Sequence, residues 1–161
     1  MELLFKDIDE PGLHTLDVYR ARGGWDMAAK ALEMAQPGDV IVFDGHGDMT
    51  TAITGELMMQ VAVERRLAGV VIDGAIRDVA TLREMRLSIY AAGVTPAGPY
   101  KDGPGEINVP VTIGSTVIHP GDIIVGDEDG IVAIRPADAA DVLAKTLKKQ
   151  AAEAAKMRAM M

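Results

Sequence analysis

The chain has no cysteine. Disulfides are therefore excluded, and so are thiolate nucleophiles and cysteine-based zinc or iron–sulfur sites. Aromatic residues make up only 4 % of it, so the core has to be built from Val, Ile, Leu, Ala and Met. Positive charge is sparse: 16 Lys and Arg stand against 24 Asp and Glu, a formal net charge of -8. No dense Lys/Arg run occurs, which argues against a nucleic-acid partner, because phosphate binding needs a clustered cationic face. The opening stretch MELLFKDIDEPG turns acidic early and contains no long apolar run. Neither a signal peptide nor a membrane anchor is expected, and the expected compartment is the cytoplasm.

What is present is ordinary for a globular protein: 161 residues, 48 % hydrophobic and 25 % charged. That length suits a single domain spanning 1–161. Gly, Pro and Asp punctuate it. Leu13–Arg22 alternates and reads as a strand, and Trp25–Ala35 reads as a helix stopped before Pro37. Val40–Phe43 reads as a strand covered on both faces, and Asp44–Thr50 as a Gly-rich loop. A helix is expected from about Thr51, or from Gly55 if Thr50–Thr54 belongs to the loop, as far as Leu67, with Gly69 as its stop. Val70–Ile72 reads as a buried strand and Asp73–Arg77 as a turn. Asp78 is placed to cap a short helix over Val79–Met85.

Ser88–Ala92 reads as a strand, and Gly93–Asn108 as a long loop of the kind that serves function or oligomer contact. Short strands follow at Val109–Ile113, Thr116–His119, Ile123–Gly126 and Gly130–Arg135. Pro136–Met161 reads as a long helix with proline in its first turn. The hexapeptide starting Pro37-Gly38-Asp39 recurs in kind from Pro120-Gly121-Asp122, which shared turn grammar explains. The mixture of helices and short hairpins predicts a layered β/β/α fold rather than a doubly wound sheet.

The stretch from Gly55 to Asp78 concentrates the chemistry. It joins Gly55-Glu56-Leu57-Met58 at a helix start to Arg77-Asp78 at the end of a buried strand. In α/β folds such positions face ligands. A helix N-terminus offers free N–H groups and a positive dipole to a carboxylate. Arg77 offers a bidentate fork for a carboxylate or enolate oxygen, and Asp78 is a hard oxygen ligand suited to Mg²⁺ or Mn²⁺. Helix capping plus a surface ion pair is the competing reading of the same residues.

The stretches ALEMAQPGDVIVFDG, GELMMQ, LAGVVIDGAIRD, GVTPAGPYKDGPGEINVPV and PGDIIVGDEDGIV resemble the RraA-like family, which includes class II 4-hydroxy-4-methyl-2-oxoglutarate aldolases. The signature is an acidic residue, Glu56, followed after twenty residues by Arg77-Asp78. The resemblance implies an α/β swivelling β/β/α domain with a mixed sheet, short β-hairpins and a long C-terminal helix. It also implies a homotrimer or dimer of trimers, and a few dozen more residues ahead of Leu13 than this chain has.

For the site, the resemblance implies that Gly55, Glu56, Leu57 and Met58 form the substrate-binding helix start, with the Leu57 and Met58 amides on the pyruvyl carboxylate. Arg77 is then the substrate-binding arginine, Asp78 the direct ligand of a divalent metal, and Glu56 the holder of metal-bound water. The implied reaction is retro-aldol cleavage of a 4-hydroxy-2-oxo acid to pyruvate through an enolate, with oxaloacetate decarboxylation as a side activity. The base is a metal-bound water or a carboxylate such as Glu153 from a neighbouring subunit. The alternative is a non-catalytic, protein-binding regulator of the RNase E inhibitor type. Those regulators tend to lack the Asp that stands here as Asp78, so the enzyme is favoured.

Other residues carry less. His46 reads as a solvated loop histidine, with a metal ligand or proton shuttle as the sharper alternative. His14 and His119 read as structural. Asp127-Glu128-Asp129-Gly130 reads as a turn rather than a calcium loop. Glu106 reads as a loop residue that could face the site.

Overall fold

In a computed structural model, residues 31–32, 34–99 and 105–160 are described. The expected strand Leu13–Arg22, with His14, lies outside them, as does most of the expected helix Trp25–Ala35. Ala31, Leu32 and Met34 are helical, as expected. The chain divides into two compact units, Met1–Val117 and Ile118–Met161.

The first unit is built on three parallel strands in the order β1-β2-β3: β1 (Val40–Thr54), β2 (Gly69–Ile76) and β3 (Ser88–Val94). Helix α1 (Glu56–Glu64) connects β1 to β2, and helix α2 (Val79–Leu82) connects β2 to β3. Strand β2 is central, so both its edges are paired and its side chains are almost all buried. This is why VVI and AI occur there as continuous apolar runs. Met58, Met59 and Ala62 of α1 pack on Val70, Ile72 and Ile76 of β2, together with Leu32, Leu67 and Leu82. Two methionines thus occupy core positions that an aromatic-poor sequence cannot fill with rings.

Several expectations need correction. Strand β1 runs through the expected Gly-rich loop and ends only at Thr54. Its ladder with β2 slips three times, between Asp44 and Thr54. His46 (φ 54°) and Gly47 (φ 69°) adopt left-handed backbone within the irregular part, as bulged strands do. Residues 40–45 are half-buried rather than covered on both faces. Asp73–Ile76 extends β2 instead of turning, because β1 and β3 continue alongside it.

Helix α1 stops before Gly69. Arg66 takes the left-handed conformation (φ 59°), with its N–H bonded to Val63 O and the Leu67 N–H to Ala62 O. That pair of bonds is a Schellman closure, and it brings Leu67 onto Ala62 in the core.

Strand β4 (Val111–Ile113) pairs with β5 (Thr116–Ile118). In the second unit, β6 (Ile123–Asp127) pairs antiparallel with β7 (Gly130–Ile134). A 3-10 turn (Pro136–Asp138) then leads into α3 (Ala139–Ala159). The α/β class, the short strand pairs and the long terminal helix are as expected. Strand directions are mixed because a parallel sheet is combined with an antiparallel ribbon.

The repeated Pro-Gly-Asp is indeed turn grammar. In each copy the Asp N–H closes on the carbonyl three residues back, Gln36 or His119. The Asp carboxylate accepts the N–H of that same residue at 2.8 Å. The middle glycines, Gly38 (φ 92°) and Gly121 (φ 88°), hold the left-handed position the turn demands. Among the described residues no helix is long and apolar enough to cross a membrane.

Candidate functional site

The site forms where β1 and β2 end. Thr54 closes β1, and its carbonyl accepts the Arg77 N–H at 3.1 Å. That bond fixes Arg77 beside Gly55. Gly55 is the N-cap of α1, with extended backbone and no side chain to cap the helix. The cap comes from 22 residues away: Asp78 Oδ2 accepts the Glu56 N–H at 3.0 Å. Asp78 itself sits at φ 60° and makes no cap bond to α2. The expectation that it caps its own helix is therefore corrected. The left-handed backbone, which Asp tolerates, goes with a carboxylate placed on α1.

Gly55 is required by close approach rather than by backbone angle. A Cβ there would fall on Asp78 Oδ2, 2.8 Å from Arg77 Cγ and 3.0 Å from Arg77 Nε. Arg77 Nε lies 3.5 Å from Asp78 Oδ2, with both side chains 40 % exposed. This is an ion pair without hydrogen-bond alignment, so Arg77 Nε is a buried donor with no partner. Leu57 and Met58 follow in the first turn, where backbone N–H groups have no intrahelical acceptor. Met58 buries its side chain in the core and Leu57 is exposed, so their amides are what this end offers a ligand. The Glu56 side chain lies on the exposed side of the first turn.

The structure thus brings together Gly55, the Glu56 backbone, Arg77 and Asp78. It also adds residues that the sequence reading missed. Thr95 N–H bonds Ile76 O at 3.0 Å and Ala52 N–H bonds Ala97 O at 2.9 Å. These bonds bring Gly98 to the guanidinium: a Cβ on it would stand 3.3 Å from Arg77 Nη1. The signal was the glycine- and proline-rich run from Gly93, whose composition marks a loop without saying what it faces.

Several other carboxylates have partners of their own. The hydroxyls of Thr50 and Thr51 donate to the two oxygens of Asp48 at 2.6 Å. Hydrogen bonds, first from the Thr50 hydroxyl and then from that of Thr51, hold the Asp48 carboxyl at about 2, below its usual 3.8. His46 is 90 % exposed with Nδ1 at 3.1 Å from Asp44 Oδ1; it is solvated as expected, but on the irregular part of β1 rather than in a loop. His119 bonds Arg135 through Nε2 at 3.0 Å, a structural role. Asp127 Oδ1 accepts the Asp129 and Gly130 N–H groups, closing a turn. Glu153 is exposed and lies 3.8 Å from Lys149 Nζ, and Glu106 is exposed.

Among the described residues no three His, Asp or Glu side chains converge as a ready-made metal cage. The donor set instead fits a cation that keeps most of its water. Asp78 Oδ2 is engaged with α1 and Arg77, and no described group bonds Oδ1. A carboxylate oxygen that no described group bonds suits Mg²⁺, which is held through one or two carboxylates and several waters.

Together these features define an α/β protein whose candidate site lies at the C-terminal ends of parallel strands, where such folds place ligands. The chain belongs to the RraA-like family (Aldolase/RraA), which it matches over residues 14–133. It is 45 % identical over 131 residues to a protein of Halalkalibacterium halodurans named as a candidate 4-hydroxy-4-methyl-2-oxoglutarate aldolase, covering 81 % of this chain and 62 % of that protein. It is 36 % identical over 108 residues to the 4-hydroxy-4-methyl-2-oxoglutarate aldolase of Thermus thermophilus, covering 67 % and 66 %. Among solved structures it resembles Streptomyces coelicolor RraAS2, described as an unusual member of the RNase ES inhibitor RraA family. There the TM-score is 0.75 and the identity 32 %, over 81 % of this chain and 67 % of that one. The chain therefore spans less than two thirds of the length of both aldolase-named relatives.

Proposed function

We propose that this chain is a divalent-cation-dependent aldolase that cleaves 4-hydroxy-4-methyl-2-oxoglutarate-type acids to pyruvate, and that it decarboxylates oxaloacetate as a side activity. The observation that carries this reading is the closure of Arg77 and Asp78 around Gly55 onto the N-terminus of α1. In this reading the Leu57 and Met58 amides hold the pyruvyl carboxylate, helped by the helix dipole. Arg77 faces the C2 oxygen and stabilises the charge that develops there. The C4 hydroxyl gives its proton to a water in the site, the C3–C4 bond breaks, and its electron pair moves into the C2–C3 enolate. The C4 fragment departs as a carbonyl compound, and protonation of C3 yields pyruvate.

Asp78 would ligate the cation and Glu56 would hold one of its waters. When bound, Mg²⁺ or Mn²⁺ supplies Lewis-acid polarisation of the 2-oxo group. Oxaloacetate shares the 2-oxo acid end and loses its C4 carboxylate as CO₂ through the same enolate.

The functional assembly in this reading is a cytoplasmic homotrimer or dimer of trimers. In support, α3 buries no residue and leaves Leu143, Leu147 and Met157 exposed, an apolar surface that subunit contacts would cover.

A coupled pyruvate assay on 4-hydroxy-4-methyl-2-oxoglutarate and on oxaloacetate tests the proposal. Turnover of both is expected with Mg²⁺, and none with EDTA. Asp78→Asn, which preserves an acceptor for the Glu56 N–H, should fold normally and lose Mg²⁺-dependent turnover. A folded protein that turns over neither substrate, or does so equally in EDTA, contradicts the aldolase reading.

A further inference from the structure

The two Pro-Gly-Asp turns share a backbone and differ in one side chain. In each, the residue ahead of the proline donates its N–H to the Asp carboxylate at 2.8 Å and accepts the Asp N–H at 3.0 Å. In the first turn that residue is Gln36, which carries no charge at any pH. In the second it is His119, the kind of side chain whose charge changes between about pH 5 and 8.

His119 is held where its charge state matters. Among the described residues, the charged side chains within pairing distance of it are Asp122, from its own turn, and Arg135, just after β7. Arg135 Nη2 lies 3.0 Å from His119 Nε2. A guanidinium can only donate, so Nε2 accepts, and the ring is neutral with its proton on Nδ1. That nitrogen is buried without a hydrogen-bond partner, and Asp122 Oδ2 stands 3.9 Å from it. Arg135 Nε lies 3.6 Å from Asp122 Oδ1. Arg135 therefore grips the turn at two points, and one of them exists only while His119 is neutral. The Arg135 carbonyl also accepts the Asp138 N–H at 2.9 Å, which opens the 3-10 turn into α3.

We propose that His119 is a proton-operated clasp on the start of α3. A proton from solvent on Nε2 removes the lone pair that Arg135 uses and sets two cations against each other. The charged ring is drawn through Nδ1 to Asp122. Arg135 is the group that leaves, because its side chain is 51 % exposed while that of Asp122 is 4 % exposed. The Arg135–Asp138 bond and the first turn of α3 then lose their side-chain anchor and open more often. The inference does not rest on the aldolase reading, because none of its residues belongs to the Gly55–Asp78 stretch.

Amide hydrogen exchange of the full chain, read by mass spectrometry at about pH 8 and about pH 5.5 and corrected for intrinsic exchange rates, tests it. His119→Gln is the control: it keeps a neutral acceptor, and the first turn already carries glutamine at that place. In wild type, protection over residues 135–142 should fall about three- to tenfold at the lower pH, the worth of one modest hydrogen bond. In His119→Gln it should not change. Equal protection at both pH values in wild type, or the same fall in wild type and His119→Gln, overturns the inference. Nitrogen-15 NMR of the wild-type imidazoles at about pH 8 decides it without a variant. His119 should carry its proton on Nδ1, and a proton on Nε2 would overturn the clasp whatever the exchange data show.

Discussion

Arg77→Lys is expected, if the site works as proposed, to lose on the order of 10²–10³-fold in kcat for pyruvate formation, the range seen when one preorganised donor to a developing oxyanion is removed. The variant is expected to keep its fold, because the Thr54–Arg77 bond that positions residue 77 is made by main chain on both sides. The loss follows from shape rather than charge. A guanidinium presents parallel donors to the ligand oxygens, while an ammonium is a hydrated point charge on a flexible stem. Lysine would also remove the planar group against which Gly55 and Gly98 are packed. Kinetics with Mg²⁺, alongside thermal unfolding, check this. Near-normal kcat in the lysine variant would place the oxyanion elsewhere.

Gly55→Ala is expected to cost about as much activity by a different route. Backbone strain is not the cause, because Gly55 is extended and alanine can adopt its angles. The added methyl falls on Asp78 Oδ2 and crowds Arg77 Cγ and Nε, so both side chains must move. A displacement near 1 Å at a reacting centre can cost on the order of 10²-fold in rate. Overpacking of this kind destabilises by about 1–3 kcal/mol, towards the lower end here because both crowded side chains are partly exposed. Gly98→Ala is the control. Its methyl meets only the far end of Arg77, at 3.3 Å, so a much smaller loss is expected. Equal rates for Gly55→Ala and wild type would show that the close approach at Gly55 is not needed for turnover.

Much of this was legible before any coordinates. The apolar runs of β2, the helix after Gly55 and the turns at the two Pro-Gly-Asp copies follow from local pattern. Each of those turns carries its whole mechanism in four residues. Strand β1 was harder. Asp44, Gly45, Gly47 and Asp48 are turn formers, and nothing local reveals that β2 continues beside them and keeps the backbone extended. Tertiary pairing outweighed propensity there.

Asp78 shows the same limit at the site. An Asp just before a helix reads as that helix's cap, and only the fold reveals that it caps α1 instead. Likewise Arg66 stops α1 ahead of Gly69, because Leu67 gains a core position by it. The fold brings Gly55, the Glu56 backbone, Arg77 and Asp78 of the Gly55–Asp78 stretch into one cluster. What the sequence could not supply was the contact among them, or the approach of Gly98 from a loop after β3.

The central claim is that this site forms the enolate of pyruvate. Exchange of the pyruvate methyl protons in D₂O, followed by proton NMR, tests it without any assumption about the far half of the substrate. Mg²⁺ and wild-type protein should replace the methyl protons with deuterium, and EDTA or Arg77→Lys should slow that exchange to the background rate. A folded wild-type protein that leaves the methyl signal intact in the presence of Mg²⁺ would contradict the account.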